Sequence, residues 1–539
     1  MSKNRNYKNN RRDEKAGGRG NGNNKRNYKS KDSGNSYESE PKGRSIRDRS
    51  TLFTDASSAR NDWHWYAKDE KILLDTASYP YGVATGTRFL QGVADYNASS
   101  NNWTLGDEGN YIPGIAVAHF AYTPVSFSGT QGDPANVAAR NLFVQIRRAN
   151  SGAANYAAPD MMMAFIALGE AYSLHNALVR LYGTVLYAKA KNKYTGPALV
   201  SAMGCDFRDL STNLTRLRNI INVMASTLNK RPVPQKFPIF ARWSWLTNYV
   251  FKDGTGDKVQ YYVPMPRYMH VFDETSESTG TSLKTIDLTG TFDGTATVDQ
   301  IAELINQVLT PLMNSTSLDI ICGDVDKAFG SEVYSLGYIL NDYTIEPVES
   351  EQFNLQFANA HIFDVSLDIE THGDLSLRQD PNTNAIYMVK PTLLTNHGTG
   401  KYCMSHTIIN TDNPDAGAET TIEARAFMWL RKKQGNEVSL PDYLPSEVIT
   451  SVDYMCYSDT TSGAPFALLV RITDQMDLTE SADLLTTIGA FRYHPPYILS
   501  NMVANAPALW RQYANFTMLS AEDLEHMNGQ IMYSAYDIW

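Results

Sequence analysis

FRDLSTNLTRLRNIINVMASTL, Phe207 to Leu228, places apolar side chains at Phe207, Leu210, Leu214, Leu217, Ile221, Met224 and Leu228. The intervals alternate between three and four residues, so all of these side chains fall on one stripe of a helix with 3.6 residues per turn. The spacing predicts one long helix with a single apolar seam, closed by Arg231–Pro232. Such a seam packs within its own domain by default, a neighbouring subunit being the other option.

Outward from this stretch the same signals recur. Asp133–Pro134 reads as a helix start, aspartate at the N-cap and proline at the first helical position, with Ala138, Leu142, Ile146 and Ala149 on one face and Asn150-Ser151-Gly152 as the stop. Pro159–Asp160 opens a uniformly apolar segment through about Lys189, whose methionines and aromatics read as core. Thr297 and Gln300 have the spacing of a capping box for a helix bearing Ile301, Leu304, Ile305 and Val308. A further helical stretch follows Thr421, with Phe427 and Leu430.

The middle of the chain has a strand period. Ile286, Leu288 and Phe292 sit at even positions, and Phe363, Val365, Leu367 and Ile369 alternate with Asp364, Ser366, Asp368 and Glu370. Asp380–Pro381–Asn382 reads as a turn leading back into Ile386 to Val389, a hairpin. The class implied is α+β and helix-rich.

With 539 residues, 42% of them hydrophobic, the chain can bury a large core and divide into two or three domains. Its longest apolar run, Met161 to Leu168, is too short to cross a bilayer, and no signal-like stretch opens the chain, so a protein outside the usual secretory route is expected. Cys205, Cys322, Cys403 and Cys456 are far apart and fit a reducing compartment.

Charge is divided unevenly. Residues 1–50 hold 15 Lys and Arg against 6 Asp and Glu, a net of +9, which leaves −19 for the rest of a chain whose total is −10. Their only aliphatic side chains are Met1, Ala16 and Ile46, too few for burial to offset ordering entropy, so a disordered basic arm is expected. Arg5, Arg11, Arg12, Arg19, Lys25, Arg26, Lys29 and Lys31 can each meet an RNA phosphate, and Tyr7 and Tyr28 can stack on unpaired bases. Nothing in the arm can read a base sequence.

Signatures of common catalysis are missing: there is no GxxxxGK[ST], GxGxxG, HExxH or GxSxG. Asp324-Val325-Asp326 has the look of a metal pair, but in so acidic a body such spacing arises by chance. His64, His175 and His494 have no metal-ligand spacing and read as hydrogen-bonded or surface residues. No catalytic residue, metal or cofactor is assigned, and no small-molecule substrate is implied.

Four segments resemble the capsid proteins of picobirnaviruses, small non-enveloped viruses with a segmented double-stranded RNA genome. They are Asn61 to Phe89 (NDWHWYAKDEKILLDTASYPYGVATGTRF), Asn136 to Asp160 (NVAARNLFVQIRRANSGAANYAAPD), Ala202 to Phe207 (AMGCDF) and Ile321 to Gly330 (ICGDVDKAFG). The Asn-rich basic leader is similar in kind to the family's.

The resemblance implies a virion protein made in the host cytoplasm, a homodimer assembling into a T=1 icosahedral shell around RNA, with an α-helical shell domain and a smaller, strand-containing projecting domain. The strand-rich middle would be the projection: arm 1–50, shell 51–254 and 426–539, projection 255–425. In some members the arm is removed by self-cleavage, but no residue here identifies a nucleophile or a cut site. The alternative, a cellular RNA-binding scaffold, would ordinarily carry an RRM or KH module, and no RNP-type aromatic motif is present.

If the arm holds RNA by charge, affinity falls steeply with salt. Eight phosphate contacts would give a log–log slope of about −6 to −7. Filter binding across a salt series checks this, and deletion of residues 1–45 should abolish the slope.

Overall fold

The computed structural model describes His64, residues 68–76 and 88–111, and residues 114–538 apart from 192–194, 256–258, 275–280, 364, 366, 393–403, 412–416, 435–436, 457–466, 473–474, 478–487, 502–505 and 512. The chain divides into Met1–Tyr81 and Gly82–Trp539. In the first unit the described backbone includes helix α1, Glu70–Thr76.

The second unit holds helices α2 (Pro134–Ala149), α3 (Ala158–Lys191), α4 (Gly196–Ala202), α5 (Phe207–Thr212), α6 (Leu214–Leu228), α7 (Pro238–Asn248), α8 (Val298–Asn314), α9 (Thr316–Phe329), α10 (Glu351–Asn359), α11 (Ala418–Ala424) and α12 (Ala521–Ala535). Strands β1 (Arg88–Asn97) and β2 (Asn102–Tyr111) pair as a hairpin. The main sheet contains β3 (Ile115–Tyr122), β4 (Phe251–Lys252), β5 (Tyr261–Asp273), β6 (Ser282–Asp287), β7 (Val348–Glu349), β8 (Leu377–Gln379), β9 (Ile386–Met388), β13 (Glu447–Cys456) and β14 (Ala467–Ile472). Smaller sheets join β10 (His406–Asn410) to β18 (Phe516–Ser520), β11 (Lys432–Gln434) to β12 (Glu437–Ser439), and β15 (Gln475–Asp477), β16 (Tyr497–Asn501) and β17 (Ala506–Trp510) in order. Helices supply more of this backbone than strands, as the helix-rich class requires.

Helix α3 is the axis of the core. Its 34 residues extend about 51 Å, and the run Met161 to Ala171 is wholly buried. A helix that is apolar all round has no solvent face to offer, so neighbours must surround it. They are α2, α4, α6, α7 and β5. Two glycines let backbone come close: a Cβ on Gly169 would lie 2.4 Å from the Phe240 ring, and one on Gly183 would lie 2.7 Å from Ile345.

The Phe207–Leu228 stretch is two helices where the spacing predicts one. The break falls at Asn213 (φ −103°, ψ 24°), which ends α5 and opens α6. Ser211 and Thr212 hydroxyls both donate to the Arg208 carbonyl, and Asn213 Nδ2 donates to the Asp209 carbonyl, so side chains compete with the helical ladder there. The seam survives: Leu210, Leu217, Ile221, Met224 and Leu228 are at most 1% exposed and belong to the main core. It therefore packs within its own unit.

Helix α2 starts at Pro134 with Asp133 at the cap position, but the aspartate side chain makes no helix-capping bond. Its carboxylate instead accepts from Ser126, Ser128, Thr130 and Tyr443 hydroxyls. Burial pushes its pKa up, those hydrogen bonds outweigh it, and the net value is lowered. Ala138, Leu142 and Ile146 are buried as spaced, whereas Ala149, on the last turn, is exposed. The Thr297/Gln300 capping box is present, and Ile301, Leu304, Ile305 and Val308 are buried below it.

Three expected elements differ. Strand β6 ends at Asp287, whose carboxylate caps a 3-10 turn holding Leu288, so Leu288 and Phe292 lie beyond the strand. Phe363 to Glu370 contains no strand among its described residues, Asp364 and Ser366 lying outside them, although Phe363, Val365, Leu367 and Ile369 do share one apolar cluster. Helix α11 stops at Ala424, and Phe427 has a left-handed φ of 62°, so Phe427 and Leu430 follow the helix rather than ride on it. The β8–β9 hairpin forms as read, its turn closed by Asp380 accepting from Asn382 and Thr383 amides.

The sheet crosses the division expected at residues 255 and 425. β3 pairs with β13 on one side and, in parallel, with β5 on the other. Side chains from Ile115 to Tyr536 join one hydrophobic cluster. The strands of 255–390 and those of the flanks thus share one core.

Two substitutions on α6 separate seam from surface. Leu217→Ala, in the core, should cost about 2–5 kcal/mol, while Val223→Ala, at 66% exposure, should change stability by about 0.5 kcal/mol or less. Chemical denaturation of both variants checks the contrast.

Candidate functional site

The basic residues nominated for RNA, Arg5, Arg11, Arg12, Arg19, Lys25, Arg26, Lys29 and Lys31, lie outside the described residues. Asp324 and Asp326, both on α9, do not converge, because residues two apart on a helix face different ways. Asp324 Oδ2 accepts from Tyr156 Oη at 2.9 Å and Arg147 Nη1 at 3.3 Å, which ties α9 to the α2 end. Among the described residues no group of three or more His, Cys, Asp or Glu converges as a metal site. His175 is buried, desolvation pushing its pKa down to about 4, and the His494 ring is likewise lowered by burial, its Nδ1 at 2.8 Å from the Pro495 carbonyl.

Three ionic groupings inside the second unit escaped the sequence reading. Glu170 on α3 and His270 on β5 are 0% and 2% exposed, with Oε1 and Nδ1 2.6 Å apart. Glu170 Oε2 also accepts the His270 amide, and His270 Nε2 lies 2.8 Å from the Leu375 carbonyl. Burial alone would lower the His270 pKa. The Glu170 charge, its hydrogen bond and the Leu375 carbonyl outweigh it, so the net shift is upward. With an acceptor at both ring nitrogens, the imidazolium is the form that fits.

On the sheet itself, Asp453 of β13 accepts from Arg471 Nε and Nη2 of β14, at 2.7 and 2.6 Å, and lies 2.9 Å from His119 Nε2 of β3. Burial works against this carboxylate, but Arg471 and His119 together lower its pKa to about 2. Arg242 of α7 donates to Glu447 of β13 at 2.8 Å and lies over the Trp245 and Phe427 rings at 4.9 and 5.3 Å. Each grouping fastens a helix to the sheet or one strand to the next. Sequence separations of 100 residues for Glu170–His270 and 334 for His119–Asp453 leave no local pattern to read. One signal existed: Glu170 interrupts an apolar run, and a carboxylate buried there requires a partner.

One concavity is mainly apolar. A groove of about 690 Å³ runs between α6 and α8, floored by Ile220, Met224, Ile305 and Leu309, with Val223 and Met313 on its rim. An exposed Arg216–Asp299 ion pair lies at one end. A second apolar surface lies on β18, where Phe516 and Met518 are 56% and 66% exposed. These surfaces offer contact area rather than convergent reactive groups.

Most of the chain shares its fold with a solved structure. It superposes on the chain of the X-ray crystallographic structure of the picobirnavirus capsid with a TM-score of 0.73, covering 88% of this chain and 98% of that one at 21% identity. The family model for the picobirnavirus capsid protein matches residues 65–435, so the chain belongs to the picobirnavirus capsid protein family. The capsid protein precursor of Human picobirnavirus (strain Human/Thailand/Hy005102/-) is 25% identical over 525 residues, spanning 92% of this chain and 94% of that protein. The chain is a structural capsid protein.

The pKa shifts set two pH windows. The raised His270 pKa makes its pair contribute fully below the unfolded value of about 6.5, the contribution being lost as pH rises through the folded value. Asp453, depressed, contributes above about 3.9 and loses that contribution as pH falls through about 2. The Tm gap between wild type and His270→Gln should therefore narrow as pH is raised above neutrality, and the gap for Asp453→Asn should narrow only in acid. Differential scanning fluorimetry across pH reads both.

Proposed function

We propose that this capsid protein assembles, by way of homodimers, into a closed T=1 icosahedral shell enclosing double-stranded RNA, in the virion and, during assembly, in the host cytoplasm. The observation that carries this is the family match over residues 65–435. The division of charge supports the RNA half: residues 1–50 have a net charge of +9 and the rest −19, so one part suits a polyanion and the other does not. In this reading Arg5, Arg11, Arg12, Arg19, Lys25, Arg26, Lys29 and Lys31 neutralise phosphates without selecting bases. A shell needs apolar contact between copies, and the α6–α8 groove and β18 are available for it.

The shell is proposed to comprise residues 51–254 and 426–539 and the projection to arise from 255–425. Because β5, β6, β8 and β9 lie in the same sheet as β3 and β13, such a projection would rise from the shared core without a hinge of its own.

The full-length chain expressed alone should give uniform hollow spheres by negative-stain electron microscopy, with an absorbance ratio reporting RNA that is lost on deleting residues 1–45. Monomers or small oligomers at every salt and pH tried would overturn the shell reading. Intact mass spectrometry of the particles reports on arm removal, a single full-length mass excluding it.

A further inference from the structure

The two edges of the β10–β18 sheet are treated differently. Thr411 N donates to the Asn515 carbonyl at 2.9 Å and Ala521 N to the Ser405 carbonyl at 3.2 Å, in a register that pairs Ile409 with Thr517 and Ile408 with Met518. In an antiparallel ladder, bonded and non-bonded pairs alternate, so Asn515, Thr517 and Leu519 turn their backbone groups toward β10 while Phe516 and Met518 turn theirs away. Of the matching outward groups of β10, both of Asn410 and the carbonyl of Ile408 are bonded. Asn359 donates to the Asn410 carbonyl and accepts its amide, at 2.9 Å each, and Arg511 donates to the Ile408 carbonyl. On β18, no group among the described residues bonds the outward backbone of Phe516 or Met518.

That open edge is also apolar and uncharged. Tyr513, Phe516 and Met518 are 56%, 56% and 66% exposed, and the Tyr513 ring packs edge-on against Phe516 at 6.1 Å. The run Tyr513 to Ser520 (YANFTMLS) contains no ionisable group except the tyrosine. Apart from its short length, the strand has no guard of sequence against edge pairing: no lysine, no proline and no bulge.

We propose that β18 pairs with β18 of a second copy, antiparallel about a two-fold axis at Thr517. The strand is self-complementary in that register. Phe516 of each copy falls opposite Met518 of the other, both on the exposed face, with their outward amides and carbonyls exchanging hydrogen bonds. Sulfur meets aromatic ring twice, and Thr517 meets Thr517, a pairing that strands favour. No like charges meet at the axis, which is why a second copy rather than a charged partner is the occupant. A short edge covers less than the roughly 1,200–2,000 Å² of a standard interface, so it fixes register within a larger subunit contact. This pairing deepens the shell reading, on whose homodimer it rests.

Thr517→Cys tests the register, because non-bonded antiparallel partners have Cα atoms about 4.5 Å apart, inside the disulfide range of about 4.4–6.8 Å. Mild copper-phenanthroline oxidation should give a reducible dimer on a non-reducing gel for full-length Thr517→Cys, and none for wild type or Asn515→Cys. Phe516→Lys should lower particle yield at least about tenfold with far-ultraviolet circular dichroism unchanged, and adding Met518→Glu should restore it, since the two new charges fall opposite each other. Absence of the Thr517→Cys dimer, or wild-type yield from Phe516→Lys, overturns the pairing. Wild-type particles by negative stain report on the shell separately: particles without the cross-link leave the shell reading standing and remove the strand pairing, and the cross-link without particles does the reverse.

Discussion

Glu170 and His270 are the point on which the helical and sheet parts of this protein depend. Helix α3 is enclosed by apolar neighbours, and a carboxylate inside it would be costly unless a cation and hydrogen-bond donors met it there. His270 supplies its ring and its amide from β5, and the far side of the ring is held by the Leu375 carbonyl. Three segments distant in sequence are thereby set at one depth and one angle. Removing either partner would leave a charge stranded in hydrocarbon, a larger penalty than the loss of one contact.

From that anchor the rest of the core follows. β5 lies beside β3, and β3 beside β13, so the strands flanking the pair carry the further ionic groupings of His119, Asp453 and Arg471 and of Arg242 and Glu447. Polar bonds thus fix orientation within a core whose bulk energy is apolar burial. A subunit meant to stand beside copies of itself benefits from such rigidity, since contact surfaces such as the α6–α8 groove and β18 then keep their shape before a neighbour arrives.

Much of the local structure was legible along the chain. Pro134 and Asp133, the Thr297/Gln300 box, the Asp380 turn and the 207–228 seam each act through neighbours within a few residues, so composition and spacing reveal them. The misreadings share a cause as well. Asn213 and the hydroxyls before it interrupt a helix that the apolar period alone would continue, and Phe363 to Ile369 has strand alternation but forms no strand among its described residues, only the Phe363 amide donating to the Ile449 carbonyl of β13. Alternation reports which side chains are buried, and those side chains are together in one cluster. It does not report whether a neighbouring backbone continues the pairing into a ladder.

By itself, the amino-acid order determined the helix-rich mixed class, the opposite charge of arm and body, and the family, because these depend on composition, on periods of two and 3.6 residues, and on short quoted segments. Tertiary structure alone decided that the strands of 255–390 belong to the same sheet as β3 and β13, that Glu170 finds His270, and that, among the described residues, nothing bonds the outer edge of β18 whereas Asn359 bonds that of β10. Each of those depends on which residues, from 51 to several hundred apart, come to lie within hydrogen-bonding distance, and no local pattern encodes that.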